Sequence, residues 1–398
     1  MGKKTLAVLL GSVFISMLGM NIIAPFLPIY ARTMGASSLE IGLVQAAFSV
    51  SGITALLFVG RLSDRFGRKV FLAGGISVIM VSSAGFILAS NPPHLIFFRF
   101  VQGLGASVHL VIAQAYLGDI TPAGSEGKWM GYFNAVLFAG MGAGPLVGGV
   151  ITDAFSVTTA FLVLATMNAF SLAATLLFLK EMRRKIAARV RASAVAPLKS
   201  RVMRGVFSYR MAMGLGTATL MAFVPLFASL RLGLSATLIG AMLAARVPVA
   251  LTQSYTGRLS DQWDRRSMVI LGGLVCVSAV AIMPMSGGFW TLLITYLFVT
   301  AGQAFGIPAA NAYVVDEGRV YGMGASVTLF MMAMYVGNSI GPVLLGGIAD
   351  RLGLESVFYT AALSIGAGVL VFALMVSKSG TSPPLTYFQK MSERRGRP

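Results

Sequence analysis

Charge is scarce in this chain, and negative charge scarcest of all. Charged residues make up 11% of the 398 positions, against roughly 25% in an average soluble domain. Only 13 of them are Asp or Glu, beside 31 Lys or Arg. The acids lie in polar connections or near the ends of apolar runs, none clearly at the centre of one. No embedded carboxylate pair is therefore available for acid–base chemistry. A single cysteine, Cys276, excludes an intrachain disulfide and a cysteine metal cluster. Inside an apolar run its default role is that of a small packing residue. The chain has two histidines and no G-x4-G-K-[ST] phosphate loop. Neither a metal site nor ATP-driven work is expected, and the chain is read as no enzyme, without cofactor or metal.

Apolar length is abundant instead. Hydrophobic residues are 56% of the chain, and stretches such as 6–31, 70–93 and 129–152 each supply roughly 20 apolar positions, enough to cross a bilayer as helix. Reading apolar runs between charged or Gly/Pro breaks gives twelve spans: 5–31, 40–60, 69–90, 94–117, 129–152, 158–180, 205–230, 237–257, 268–286, 289–313, 322–349 and 356–377. The opening MGKKTLAVLLGSVF has the look of a signal peptide, but a second apolar segment follows at once, so it is read as a retained first span. Twelve is even, which puts both termini on one side. The net charge of +18 raises nucleic-acid binding, but the cations sit in short loops between spans, the pattern of positive-inside bias, and no nucleic acid is expected. Arg61, Arg65, Arg68, Lys69, Lys128, the basic connection after residue 180, Arg258, Arg265, Arg266, Arg319 and the tail share one side; Arg32, Arg231 and Arg351 are on the other. The expected location is a cytoplasmic (inner) membrane, with both termini cytoplasmic.

The decapeptide GRLSDRFGRK at 60–69 returns as GRLSDQWDRR at 257–266. The same offset of 197 pairs Gly60 with Gly257, Asp64 with Asp261, Tyr116 with Tyr313, Asp119 with Asp316 and Pro145 with Pro342. The whole chain therefore recurs: an all-α membrane protein is expected, with twelve transmembrane helices in two pseudo-symmetric six-helix bundles. The bundles are placed at 1–180 and 205–377, joined by a basic linker over 181–204 and followed by a tail over 378–398. Halves related by an axis along the membrane normal are a known transporter plan, with the substrate site at their interface near mid-membrane.

These segments resemble the major facilitator superfamily over essentially the full chain. GRLSDRFGRK matches its loop 2–3 signature, G-x-L-x-D-R-x-G-R-K. RFVQGLGAS at 99–107 resembles its fourth-span motif. GYFNAVLFAGMGAGPLVGG at 131–149 fits G-x8-G-x3-G-P-x2-G-G, with Gly131, Gly140, Gly144, Pro145, Gly148 and Gly149 at the fixed positions. That motif implies the twelve-span drug:proton antiporter branch. The resemblance implies that the loop around Gly60, Asp64, Arg65, Gly67 and Arg68 latches the two halves, with Arg68 paired to Asp119. The repeat supplies Gly257, Asp261, Arg265 and Asp316 for a second latch. Positive-inside anchoring with ordinary capping is the plainer alternative. Asp64 stands where the next helix can begin and could cap it, Gly60 permits close helix approach and Gly67 a positive-φ turn. Asp264 replaces Gly67 in the second copy, so a weaker second latch is expected. Gly140, Gly144 and Gly148 line one helix face suited to close packing.

Arg99, Gln102, Ala106 and His109 share one face of the fourth span. The resemblance gives Arg99 a part in proton transfer; a snorkelling anchor is the rival. His109 could titrate or simply pack through a hydrogen bond. Arg246 sits well inside the eighth span with no carboxylate at similar depth, and must be met by cavity water, an anionic substrate, or carbonyls freed by Pro248. Asn21, Gln102, His109, Arg246, Tyr335 and Asn338 are the candidate cavity residues, and Arg99, His109 and Asp119 the proton-coupling candidates. The leading expectation is a monomeric secondary transporter in the lipid bilayer, exporting small amphipathic compounds by alternating access with proton antiport. One alternative is carriage of an anionic or sugar-like metabolite or lipid headgroup using Arg246. Another is a membrane sensor or assembly partner without turnover.

Overall fold

The computed structural model describes residues 3–122, 125–182, 196–260 and 262–376, with side chains undescribed at 3, 4, 56–58, 60, 61, 64, 65 and 126. The expectations on Asp261, the side-chain roles given to Gly60, Asp64 and Arg65, most of the basic linker and the tail fall outside them.

The described residues form fourteen α-helices: α1 Lys3–Ile23, α2 Leu27–Thr33, α3 Ser38–Phe66, α4 Arg68–Ile87, α5 Pro92–Ile120, α6 Glu126–Ala154, α7 Val157–Phe178, α8 Arg201–Leu230, α9 Ala236–Leu251, α10 Gln253–Leu259, α11 Arg265–Ile282, α12 Phe289–Tyr321, α13 Met323–Leu352 and α14 Ser356–Met375. They supply twelve segments long and apolar enough to cross a membrane, and no strand occurs among the described residues. The first span is α1 with α2, separated at Ala24-Pro25-Phe26; the eighth is α9 with α10, broken at Thr252, four residues after Pro248. Pro25, which cannot donate into the helical ladder, lies in the first break, whereas Pro248 sits inside α9 and the second break follows it.

Short polar residues start the helices. Ser37 and Glu40 form a reciprocal capping box on α3, and the side chains of Asn91, Ser156, Ser200, Ser235 and Asp264 each accept an N–H three residues on. Such caps satisfy donors that the first helical turn leaves unpaired. Two sequence boundaries need correction. The tenth span, read to residue 313, continues to Tyr321, and Gly322 (φ +98°) alone separates it from α13. Asp316 and Arg319 are thus helical rather than loop residues: nothing breaks the helix before that glycine, and charges beyond the hydrocarbon cost little. Likewise α3 runs to Phe66, so Asp64 lies inside it and does not begin the next helix. The turn is made at Gly67, φ +111°, a region that penalises any Cβ.

Each half uses the same close crossing. Gly75 of α4 meets the Gly105 carbonyl of α5, and Gly272 of α11 meets the Gly302 carbonyl of α12, both 197 residues on. A Cβ at either site would come within 3.0 Å of backbone, so the helices touch main chain to main chain. Between the halves, α3 packs on α13 and α6 on α9, forming one seam. The end of the molecule bearing both decapeptides is called the basic end; the opposite end, where α3 and α9 begin, is the far end.

Candidate functional site

At the far end the two halves are joined by a contact made twice. Asp153, in the last turn of α6, accepts from the N–H groups of Ala236 (2.9 Å) and Thr237 (2.7 Å) at the start of α9. Asp350, in the last turn of α13 and 197 residues later, accepts from Ser38 (2.7 Å) and Leu39 (2.9 Å) at the start of α3. Each carboxylate thus caps a helix of the opposite half, where unpaired N–H groups and the helix dipole favour negative charge. These four backbone N–H bonds cross the seam between the halves. Glycines bring the backbones together beside them: Gly149 meets the Ala236 carbonyl and Gly240 that of Pro145, while Gly346 meets Ser38 and Gly42 meets Pro342.

At the basic end each half keeps its own ion pair. Arg68 Nε lies 3.0 Å from Asp119 Oδ2, and Arg265 Nη1 lies 2.6 Å from Asp316 Oδ2; both pairs span 51 residues. Arg68 Nη1 also donates to Ser63 Oγ, and Arg265 Nε to the Ser260 carbonyl. The first pair is deeply buried, at 8% and 12% side-chain exposure; the second is looser, at 26% and 32%. The two loops are capped differently. Glu181, beyond the sixth span, reaches back to accept from Lys69 and Val70 N–H at the start of α4. In the second copy Asp264 does this locally, accepting from Ser267 N–H and Oγ. These bonds hold the Asp264 carboxyl below its ordinary pKa, the Ser267 hydroxyl first among them. Replacing Gly67 by Asp therefore changed the source of the cap and left the second ion pair intact. Gly257 makes only ordinary contact, with Pro308.

Burial makes the two pairs unequal in energy. Asp119→Asn removes the carboxylate 3.0 Å from Arg68 in a buried site and is expected to cost up to about 3–5 kcal/mol. Asp316→Asn, in wetter surroundings, should cost about 1 kcal/mol or less. Thermal unfolding followed by circular dichroism separates them; equal losses would contradict the burial ranking.

The face of α5 read from sequence is closed rather than open. Arg99, Gln102 and His109 are 3%, 0% and 0% exposed. Arg99 donates to Gln102 Oε1 at 2.5 Å and lies over the Phe48 ring at 4.5 Å, so it does not snorkel. His109 Nε2 is 3.4 Å from Ser12 Oγ on α1. Gln102 and His109, expected to line a cavity, have no accessible surface here. Asn21 donates to the Met17 carbonyl and packs against Gly144. Gly140, Gly144 and Gly148 all face α1, while Gly131 has nothing within 4 Å. The repeat does likewise: Gly337 and Gly341 face α8. Asn338, with its amide nitrogen turned to α8, donates to the Gly214 carbonyl at 2.8 Å, which ties two helices together. Tyr335 reaches the seam near Gly52 of α3. Gly337-Asn338-Ser339-Ile340-Gly341 has the spacing of a hydrolase nucleophile elbow, yet it runs inside α13, and Ser339 Oγ donates to the Tyr335 carbonyl. No strand-to-helix turn exposes that serine.

Two arginines sit inside the second half. Arg246 Nη1 faces Tyr296 Oη at 3.4 Å and Met221 Sδ at 3.7 Å. Arg210 Nη2 faces Met334 Sδ at 2.9 Å, and its guanidinium lies over the Phe330 ring at 5.0 Å. Arg210 was missed in the sequence, although the rule that singled out Arg246, a cation well inside an apolar span, applies to it equally. Asp153 and Asp350 were legible as a pair at the repeat offset; what they touch was not. Glu181 carried no sequence signal for its role.

Comparison with known proteins adds four findings. A family model described as Major Facilitator Superfamily matches residues 9–246 and 206–396. An uncharacterised MFS-type transporter of Methanocaldococcus jannaschii is 27% identical over 384 residues, covering 94% of this chain and 99% of that protein. Multidrug resistance protein 2 of Bacillus subtilis is 25% identical over 383 residues, covering 92% and 94%. Among solved structures, the nucleoside transporter NupG superposes with TM-score 0.77 at 12% identity, covering 92% of this chain and 98% of that one. At that identity the likeness speaks to fold alone.

Proposed function

The chain belongs to the Major Facilitator Superfamily, and from that premise we propose that it exports small amphipathic compounds by alternating access, driven by protons moving the other way. The observation that carries this reading is the far-end joint. Two helix caps and four glycine approaches close the seam there. A contact of short polar bonds can break and re-form as bundles rock. The ion pairs at the basic end, Arg68–Asp119 and Arg265–Asp316, each stay within one half and suit a latch that meets the opposite half when that end closes. The basic end is assigned to the cytoplasm, with both termini there, in the cell's inner membrane, and the protein acts as a monomer. His109 and Asp119 are the groups assigned to proton coupling.

The name of the B. subtilis relative supports drug efflux as the transport class. The test is purified protein in sealed vesicles with an imposed pH gradient and a panel of cationic, neutral and anionic dyes. Dye movement should follow the gradient and collapse when an ionophore abolishes it. Movement indifferent to the gradient would remove proton antiport; no movement of any dye would favour the sensor reading.

A further inference from the structure

We infer that the C-terminal half holds an anion-binding track along α8, formed by Arg246 and Arg210, and that the cargo is an amphipathic anion. This deepens the transporter reading and rests on it. Both guanidinium groups are partly buried inside spans, and both are served by poor acceptors. Arg246 has a phenol oxygen and a thioether sulfur; Arg210 has a thioether sulfur and an aromatic face. Arg210 Nε has no hydrogen-bond partner. A guanidinium carries five N–H donors in a planar fork, and sulfur is a weak acceptor. Among the described residues no carboxylate approaches either group within ion-pair distance. A cation at membrane depth is costly unless something negative or wet meets it. The fork geometry favours a carboxylate, sulfonate or phosphate held by two bonds.

The two groups are spaced as successive stations. Arg246 touches α8 at Met221, eleven residues beyond Arg210, which is roughly 16 Å along a helix axis. Arg210 is nearer the basic end and Arg246 nearer the far end. Val247, the neighbour of Arg246, meets Gly142 of α6 across the seam, so the deeper station borders the interface of the halves. Met221 and Tyr296 flank Arg246, and Phe330 and Met334 flank Arg210, so both charges are met by aromatic and thioether side chains. Such side chains pack adaptably against an apolar body. Charge on one end and an aromatic or aliphatic body on the other is the shape these surroundings match. A lipid headgroup with its acyl chains and a free aromatic acid share that chemistry.

Fluorescein and rhodamine 6G test the charge directly, since they share a xanthene core and carry opposite charge near neutral pH. Fluorescein should bind the detergent-solubilised protein saturably by fluorescence polarisation. Arg210→Gln and Arg246→Gln should each weaken binding by about tenfold, one lost charge-assisted contact. Arg210→Lys and Arg246→Lys should retain more of it than the Gln variants. Helix content by circular dichroism, unchanged in the variants, separates loss of binding from loss of fold. In vesicles, fluorescein flux should fall in the Gln variants while rhodamine 6G flux does not. Absence of saturable fluorescein binding, or binding indifferent to both Gln substitutions, overturns the inference, as does flux of rhodamine 6G with none of fluorescein. Binding without flux of either dye keeps the anion site and instead defeats the transporter reading. Displacement of bound fluorescein by phosphatidylglycerol in the detergent assay supports a lipid headgroup as the natural occupant; displacement by benzoate but not by the lipid supports a free organic acid.

Discussion

Replacing Asp153 and Asp350 together by Asn is expected to open the far end. Each carboxylate accepts two backbone N–H groups with its two oxygens. Asparagine keeps one acceptor, loses the charge that complements the helix dipole, and turns an amide donor toward a donor. A helix cap of this kind contributes about 1–2 kcal/mol. Two together amount to about 2–4 kcal/mol, a shift of roughly 30-fold or more in the ratio of open to closed far ends. Spin labels on Leu39 and Leu352, both exposed at that end on opposite halves, read the change as a longer distance distribution. Either single variant should shift it about half as far in free energy, because the joints are separate and alike. Identical distributions for the wild type and the double variant would mean that the glycine contacts alone hold the end shut.

The glycine face of α6 should be still less forgiving. A Cβ at Gly140 would stand 2.8 Å from Met17 Cβ, and one at Gly144 2.5 Å from Asn21 Cβ; one at Gly148 would fall within 3.0 Å of the Ile22 carbonyl. All three point at α1, so the triple Ala variant must push two helices apart along three turns. Overpacking costs about 1–3 kcal/mol per site. Three sites approach the whole stability of a typical domain, about 5–15 kcal/mol. The triple variant should yield little monodisperse protein by size-exclusion chromatography and no vesicle flux. Gly131→Ala, in open space, should be indistinguishable from wild type, although the sequence motif treats that glycine as equal to the others. A triple variant as well behaved as Gly131→Ala would show that α1 can yield.

The fold was legible because its determinants are local and repeated. Apolar runs set the spans, Ser and Asn mark helix starts, and the decapeptide discloses the duplication. The close face of Gly140, Gly144 and Gly148 followed from spacing. Apolar runs understate the ends of α3 and α12, because Asp64 and Asp316 ride on helices that continue past the apolar region. The site was less legible for a different reason. Hydropathy shows that Arg99 and His109 are deep, but whether they meet an open space or a neighbour depends on helix rotation. Here Phe48 and Ser12 cover them. The partners of Asp153 and Asp350 are 83 to 84 and 311 to 312 residues away in sequence, a pairing no local pattern encodes.

The borrowed cap on α4 has a consequence for the order in which the two halves mature. Asp264 precedes its own helix, so α11 can be completed as soon as it is made. The start of α4 waits for Glu181, more than a hundred residues later on the chain. During synthesis the first hairpin at the basic end thus emerges unfinished and is completed only once the sixth span has been delivered to the membrane. A chain stopped at residue 180 would carry every helix of its first half and still lack the group that seals one of them.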